Sequence, residues 1–206
     1  AQEAGLPVHV GHLSALSAHG LAHYLTLGPV EAVHCYLPSR PPAWLARLPF
    51  DLRWHAGRVI ADPAGVGQPS AGLRRPSATV PAALKLGVER ATRLPWPAVV
   101  SGPERAALEL AAGLTRGGSW DVAYETFEGL GGLRPALVQA LLEACPSVVT
   151  KRLFLHLAAR AGHAWLSRLD LAGVDLGHGK RQVVPGGRLD PTFRVTVPRE
   201  EDGGGG

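Results

Sequence analysis

Methionine is absent from all 206 residues, position 1 included. A chain that does not open on the residue of a start codon is expected to be a fragment or a processed form of something longer. Cysteine is nearly absent as well. Cys35 and Cys145 are too few for a disulfide framework or a tetrahedral zinc set, and a reducing cytoplasm is the setting expected of such a chain. Long apolar runs are missing: no stretch approaches the roughly 20 apolar residues of a membrane span. Ala1-Gln2-Glu3-Ala4 is too short and too polar for a signal peptide. Aromatics make up only 6% and do not interleave with the basic residues, which disfavours stacking on single-stranded nucleic acid.

What is present suits a packed core. Apolar residues reach 46%, and the mean hydropathy of +0.06 argues against general disorder. The formal net charge is +4, with an isoelectric point near 9.5. That surplus permits contact with nucleic acid or with an acidic protein and demands neither. The 26 glycines and 18 prolines fit a GC-rich coding bias, so any one of them punctuates the chain less than usual.

The most regular stretch runs from Ser101 to Arg168. Ser101, Pro103 and Glu104 have the spacing of a capping box with proline in the first turn, and Ala106, Ala107, Leu110, Ala111 and Leu114 follow at helical intervals. A second helix is predicted from Ser119. A third runs from Pro135 to the stop at Cys145-Pro146, and a fourth from about Thr150 to Gly162. Residues 163–171 predict a last short helix. Earlier in the chain, a helix is expected over 11–20, strands over 23–27 and 32–37, a short helix over 41–48 and a hairpin from 52–55 and 58–61. A Gly/Pro/Ser loop covers 62–75, the second half of 80–93 leans helical, and 98–100 is a short strand. Near the end, 174–176, 181–184 and 193–197 read as strands. In the last, Phe193, Val195 and Val197 alternate with Arg194 and Thr196. The expected fold class is α+β: a central helical layer over about 101–171 packed with short strands from the N-terminal part and a C-terminal β-hairpin. The divisions are 1–100, 101–198 and a disordered tail over 199–206, the first two forming one continuous domain.

Each candidate for chemistry has a plainer counterpart. His9, His12, His19 and His23 crowd the start of the chain, and His19 and His23 are four apart. A metal would need more ligands than this pair offers, and Gly20 between them ends the helix. Roles in a local turn or a partly buried core are expected instead. Asp121, Glu125 and Glu128 share a helix, as paired acid–base carboxylates or Mg²⁺ ligands would, but that spacing also describes the wet side of an amphipathic helix. The glycines of 129–132 and 177–180 lack the spacing of a phosphate loop. Among the basic residues, Lys151 and Arg152 open the fourth helix, and Arg152, His156 and Arg160 recur every four residues on one face. Arg168 follows, and Lys180, Arg181, Arg188 and Arg194 gather near the terminal strands. These cations suit phosphates or an acidic protein surface; a solvated face is the alternative.

The chain resembles the C-terminal region of AbiEi-type antitoxins, from type IV toxin–antitoxin systems of bacterial abortive phage infection. The matching stretches are residues 7–11, 14–16 and 20–25, Pro42-Ala43-Trp44-Leu45, 101–106, Leu133-Arg134-Pro135-Ala136-Leu137, Lys151-Arg152-Leu153-Phe154-Leu155, Gly162-His163-Ala164-Trp165-Leu166, Gly179-Lys180-Arg181 and residues 186–191. Each is short, and their order and spacing over about residues 6–198 carry the likeness. It implies an N-terminal winged helix that binds operator DNA and that should end about where this chain begins. It also implies a larger domain that neutralises a nucleotidyltransferase-like toxin and assists repression of its own promoter. It carries over no catalytic motif, cofactor or metal. The rival expectations are a nucleic-acid-binding module in its own right, or an enzyme using Asp121, Glu125 or the histidines with a metal.

Overall fold

Strand β1 (His9–Val10) lies at the centre of a five-stranded sheet whose order is β3-β2-β1-β5-β4, with β2 at Val33–Leu37, β3 at Leu52–Ala56, β4 at Val88–Ala91 and β5 at Ala98–Ser101. The computed structural model describes residues 8–21, 32–37, 41–47, 51–56, 88–91 and 98–199. The sheet is mixed: β1 runs antiparallel to β2 and parallel to β5, β2 runs parallel to β3, and β4 runs antiparallel to β5. The period of two sorts the side chains. Val8, Cys35 and Leu37 are buried together, with Val33, Leu52 and Trp54 against them. His34 and Tyr36 alternate with these along β2, and His9 and His55 flank Tyr36 in register on the neighbouring strands.

Helix α1 (His12–Ala18) and helix α2 (Pro103–Leu114) pack against each other beside this sheet. Gly20, at φ +74°, turns the chain after α1. Helix α2 is buried on nearly every side: Ala106, Ala107, Leu108, Leu110, Ala111 and Leu114 are core residues, and so are the charged Glu104, Arg105 and Glu109. Around it lie α3 (Trp120–Glu128), α4 (Pro135–Ala144) and α5 (Val148–Arg160). Ser119 and Ser147 cap α3 and α5 by accepting from Val122 N–H and Thr150 N–H. One cluster joins Leu13, Leu16, Tyr36 and Val100 to Phe127, Leu141, Phe154 and Trp165. A fully buried side chain of this size contributes about 1.5–3 kcal/mol. Phe127 meets Phe154 edge-on at 5.5 Å, and Trp165 Nε1 donates to the Leu130 carbonyl at 2.9 Å. The chain closes with a small hairpin of β6 (Arg188–Leu189) and β7 (Thr196–Val197), connected through residues 190–195, where Asp190 N–H donates to the Val195 carbonyl at 2.9 Å. The molecule is therefore α+β, as the sequence implies. Among the described residues no helix is long and apolar enough to cross a membrane.

Several local expectations are corrected. The capping box does not form. Gly102 is the N-cap of α2 without a side-chain bond, because both side chains find stronger partners: Glu104 takes Arg134 at 2.8 and 2.9 Å, and the Ser101 hydroxyl donates to Glu109. Val88–Ala91 is a strand, not helix, because it pairs along β5. Leu52–Ala56 is the edge partner of β2, while 58–61, the other arm of the expected hairpin, lies outside the described residues, as do 23–27 and 62–75. The short helices predicted over 41–48 and 163–171 are 3-10 turns at Ala43–Arg47 and Ala164–Arg168. Residues 174–176 form no strand, and Arg181 makes only an isolated bridge to Val195. The alternation over 193–197 holds: Phe193, Val195 and Val197 are buried and Arg194 is exposed.

Candidate functional site

Helix α5 sets the positions of the basic residues. Thr150 to Ala158 are buried without interruption, because α2 and α3 cover one side and the C-terminal segment covers the other. The predicted basic face therefore turns inward at its start. Lys151 and Arg152 are only 3% and 2% exposed; they are not on a solvated face. The Arg152 guanidinium spends its donors on backbone carbonyls: Leu176 at 2.8 Å, Gly177 at 3.0 Å, Gly179 at 2.6 Å and Arg194 at 3.1 Å. These bonds hold the irregular segment 176–179, where Gly177 and Gly179 have positive φ, against the helix. Burial, and after it the charges of Arg181 and Arg194, draws Arg152 below its ordinary value. The three cations are thus neighbours.

One turn along α5, His156 Nδ1 and Asp190 Oδ2 are 2.5 Å apart. Asp190 Oδ1 also accepts from Thr192 N–H and Phe193 N–H. Burial works against its charge, yet these donors hold the carboxyl below the usual range. Asp190 thereby shapes the turn that puts Arg194 at φ +55°, a left-handed conformation costing a non-glycine residue about 1–2 kcal/mol. Arg194 N–H donates to the Asp190 carbonyl, and the Arg194 carbonyl accepts from Arg181 N–H, both at 2.8 Å. The result is a C-terminal lobe whose interior is anchored by Arg152 and His156 and whose outside presents Lys180, Arg188 and Arg194, with Arg181 half-buried. Arg160 is exposed at the other end of α5, its guanidinium 4.4 Å over the Tyr124 ring. Arg168 is exposed in the turn Ala164–Arg168, which packs on α4 and α5. The structure brings Arg152, Arg181 and Arg194 together, and leaves Arg160 and Arg168 on other parts of the surface.

The second polar centre lies at the seam between sheet and α2. Glu109 is fully buried. Its Oε1 is 2.9 Å from both His9 Nε2 and Arg105 Nε, and its Oε2 accepts from Ser101 Oγ at 2.9 Å and His12 N–H at 3.1 Å. Burial opposes the charge, but the His9 ring and the Arg105 guanidinium bring the carboxyl down to about 2. Beside it a row of rings crosses the sheet: His9 to Tyr36 at 5.4 Å, Tyr36 to His55 at 4.5 Å, His55 to His34 at 5.0 Å and His34 to His12 at 4.1 Å. Arg116 donates to His55 Nδ1 at 3.4 Å, so the proton shared between His55 Nε2 and His34 Nδ1, 2.9 Å apart, is assigned to His55. Burial, then the His34 charge, lowers His12 to about 3; burial, then His55, lowers His34 to about 4. Gly11 is required here, since a Cβ would fall onto the Glu109 carboxylate and 2.7 Å from the Tyr36 ring.

His9 and His12 thus occupy the core, and His19 Nε2 donates to the Ser101 carbonyl at 2.9 Å; His23 lies outside the described residues. Asp121, Glu125 and Glu128 line the exposed side of α3. No group of three or more metal-ligating side chains suited to an ion occurs among the described residues. Sequence reasoning missed Glu109, His34, His55 and Tyr36. Two signals were available: an ion pair spaced i, i+4 inside the most apolar helix, and the His34–Tyr36 alternation on one strand.

The model of a family described as "Transcriptional regulator, AbiEi antitoxin, Type IV TA system" matches residues 31–198. No curated protein matches. Among solved structures, the crystal structure of the RV2827C protein from Mycobacterium tuberculosis is similar in fold, with a TM-score of 0.57 and 18% identity. The match covers 94% of this chain and 62% of that one.

Proposed function

The chain belongs to the AbiEi antitoxin family of type IV toxin–antitoxin transcriptional regulators, and from that premise we propose that it works by binding rather than by catalysis. In this reading it neutralises a nucleotidyltransferase-like toxin in the cytoplasm and contributes to repression of its own promoter. The cations Lys180, Arg181, Arg188 and Arg194, with Arg160 and Arg168 beyond the lobe, meet DNA phosphates, while Lys151 and Arg152 act from inside. Such contacts add affinity and fix orientation without reading bases.

The observation that carries the reading is the convergence of Arg152, Arg181 and Arg194 on one lobe. Like charges are held together there with Arg152 paired to neutral carbonyls, and that arrangement gains from an external polyanion. The buried carboxylates, by contrast, are spent on protein donors. Co-expression with the toxin encoded beside it is expected to restore growth, and the two proteins are expected to co-purify; failure of both overturns neutralisation. A stand-alone nucleic-acid module is the second reading, favoured by the same lobe. It predicts a gel shift with unrelated duplex DNA at 50 mM salt that disappears by 200 mM, without any rescue of growth.

A further inference from the structure

We propose that the first turn of α5 is a seat for a small phosphate, either the free ion or the terminal group of a phosphomonoester, with the Lys151 ammonium at its base. The seat involves neither the toxin nor the operator, so its test stands apart from the function proposed above. Lys151 is the residue that points to a ligand. It is 3% exposed, yet its ammonium makes no hydrogen bond or ion pair with a described residue. Neither is it sealed in: among the described residues, the enclosed side-chain polar atoms without a partner are His9 Nδ1, His12 Nδ1 and His156 Nε2. A buried cation in that state costs free energy until something completes its bonding.

Side chains in a helix lean toward its N-terminus, and Lys151 follows: its charge acts on the Cys145 thiol, two residues before the N-cap Ser147. Cys145 ends α4, but Lys151 donates to no carbonyl there and so does not serve as its cap. The first turn of α5 supplies further donors. Val148 N–H and Val149 N–H, at the free end of the helix, bond to no described residue. The Ser147 hydroxyl accepts from Thr150 N–H at 3.2 Å and from Thr150 Oγ1 at 2.9 Å, which leaves its own proton to donate outward. Ser147, Val148 and Val149 are all half-buried. Unpaired N–H groups and the helix dipole together favour an anion at this end.

The C-terminal lobe forms the rim. A Cβ at Gly177 would stand 3.2 Å from both Val148 methyl carbons and 3.8 Å from Arg181 Nη2, so the Arg181 guanidinium lies beside this turn. Asp175 brings one carboxylate to the same segment, its Oδ1 accepting from Gly177 N–H at 2.9 Å. Lys151, Arg152 and Arg181 outweigh it in charge. Depth decides the size of the occupant. An ammonium covered as closely as that of Lys151 meets a group that ends in its phosphate, not a phosphodiester flanked on both sides by sugars. The lobe then offers two kinds of anion contact: the exposed Lys180 and Arg194 for a polymer, and this seat for a small ion.

Amide NMR of the intact chain titrated with inorganic phosphate tests this, with chloride at matched ionic strength as the control. Saturable shifts of the Val148 and Val149 amide signals are expected, with a Kd of about 1 mM or tighter, and ribose 5-phosphate should reproduce them. Lys151→Met keeps the buried stem and removes the ammonium; it is expected to weaken binding by about 10-fold or more. If that variant fails to fold, the unaltered chain still decides, because the absence of a saturable shift at these two amides overturns the proposal. Shifts that chloride reproduces also overturn it, as does phosphate binding by Lys151→Met within threefold of the unaltered chain. If duplex DNA moves these amides while phosphate and ribose 5-phosphate do not, the turn belongs to the polymer-binding surface and the seat falls.

Discussion

Among the described residues, the ionic centres around Glu109 and Arg152 are both buried and are built in opposite ways. At the seam of sheet and helix, a carboxylate, Glu109, is surrounded by donors that include the charged Arg105. In the C-terminal lobe, a guanidinium, Arg152, is surrounded by neutral carbonyls, with Arg181 and Arg194 nearby. The first centre is balanced within the protein; it ties β1, β5, α1 and α2 together and offers nothing outward. The second is satisfied in hydrogen bonds but not in charge, so its surplus extends to the surface. A buried charge that is neutralised locally is structural, whereas one solvated only by dipoles leaves a field that a partner can use.

Glu109→Ala tests the first centre most severely, since it removes the buried carboxylate on which His9, His12, Ser101 and Arg105 converge. A loss of about 3–5 kcal/mol in urea unfolding is expected; a loss under 1 kcal/mol would make the seam incidental. Acid attacks the same centre. The folded-state values of His12, about 3, and His34, about 4, lie below 6.5, and that of Glu109, about 2, lies below 4.5. All three groups therefore stabilise the fold above their unfolded values. That contribution is lost as pH falls, beginning near 6.5 for the histidines, and below 4.5 for the carboxylate. The melting temperature is expected to fall steadily from pH 6.5 to pH 3, and a flat profile would break the assignment. Arg152→Met is expected to be milder and local, at about 2–3 kcal/mol for carbonyls left without donors. Amide exchange should accelerate over 174–197 before it does in α2. Gly11→Ala is expected to cost about 1–3 kcal/mol through overpacking against Glu109 and Tyr36, and restoring space with Tyr36→Leu should recover part of it.

The helical half was legible in the sequence because its signals are local. Pro135 and Cys145-Pro146 delimit α4, Ser119 caps α3, and the apolar intervals of α2 and α5 are intact. The failures share a cause. Ser101 and Glu104 have the spacing of a cap, but Glu109 and Arg134, 8 and 30 residues away, compete successfully for them. Val88–Ala91 is ambiguous alone and becomes a strand because β5 is beside it. For the candidate site, the basic residues were visible as residues but not as a surface. Periodicity along α5 distinguishes an apolar stripe from its complement. It does not say that the C-terminal segment covers that complement and takes Arg152 and His156 inside. The carboxylates of α3 were visible too, but nothing in their spacing places Glu128 and Arg160 on the walls of one cleft.

The order of residues was enough to settle the α+β class, the helical middle, the alternating terminal strand and the family, because each depends on periodicity or on motifs read within a few positions. Tertiary structure alone decided which charges are buried and which are exposed. That depends on which distant segments close over a side chain, since the cost of desolvating a charge is set by its neighbours in space.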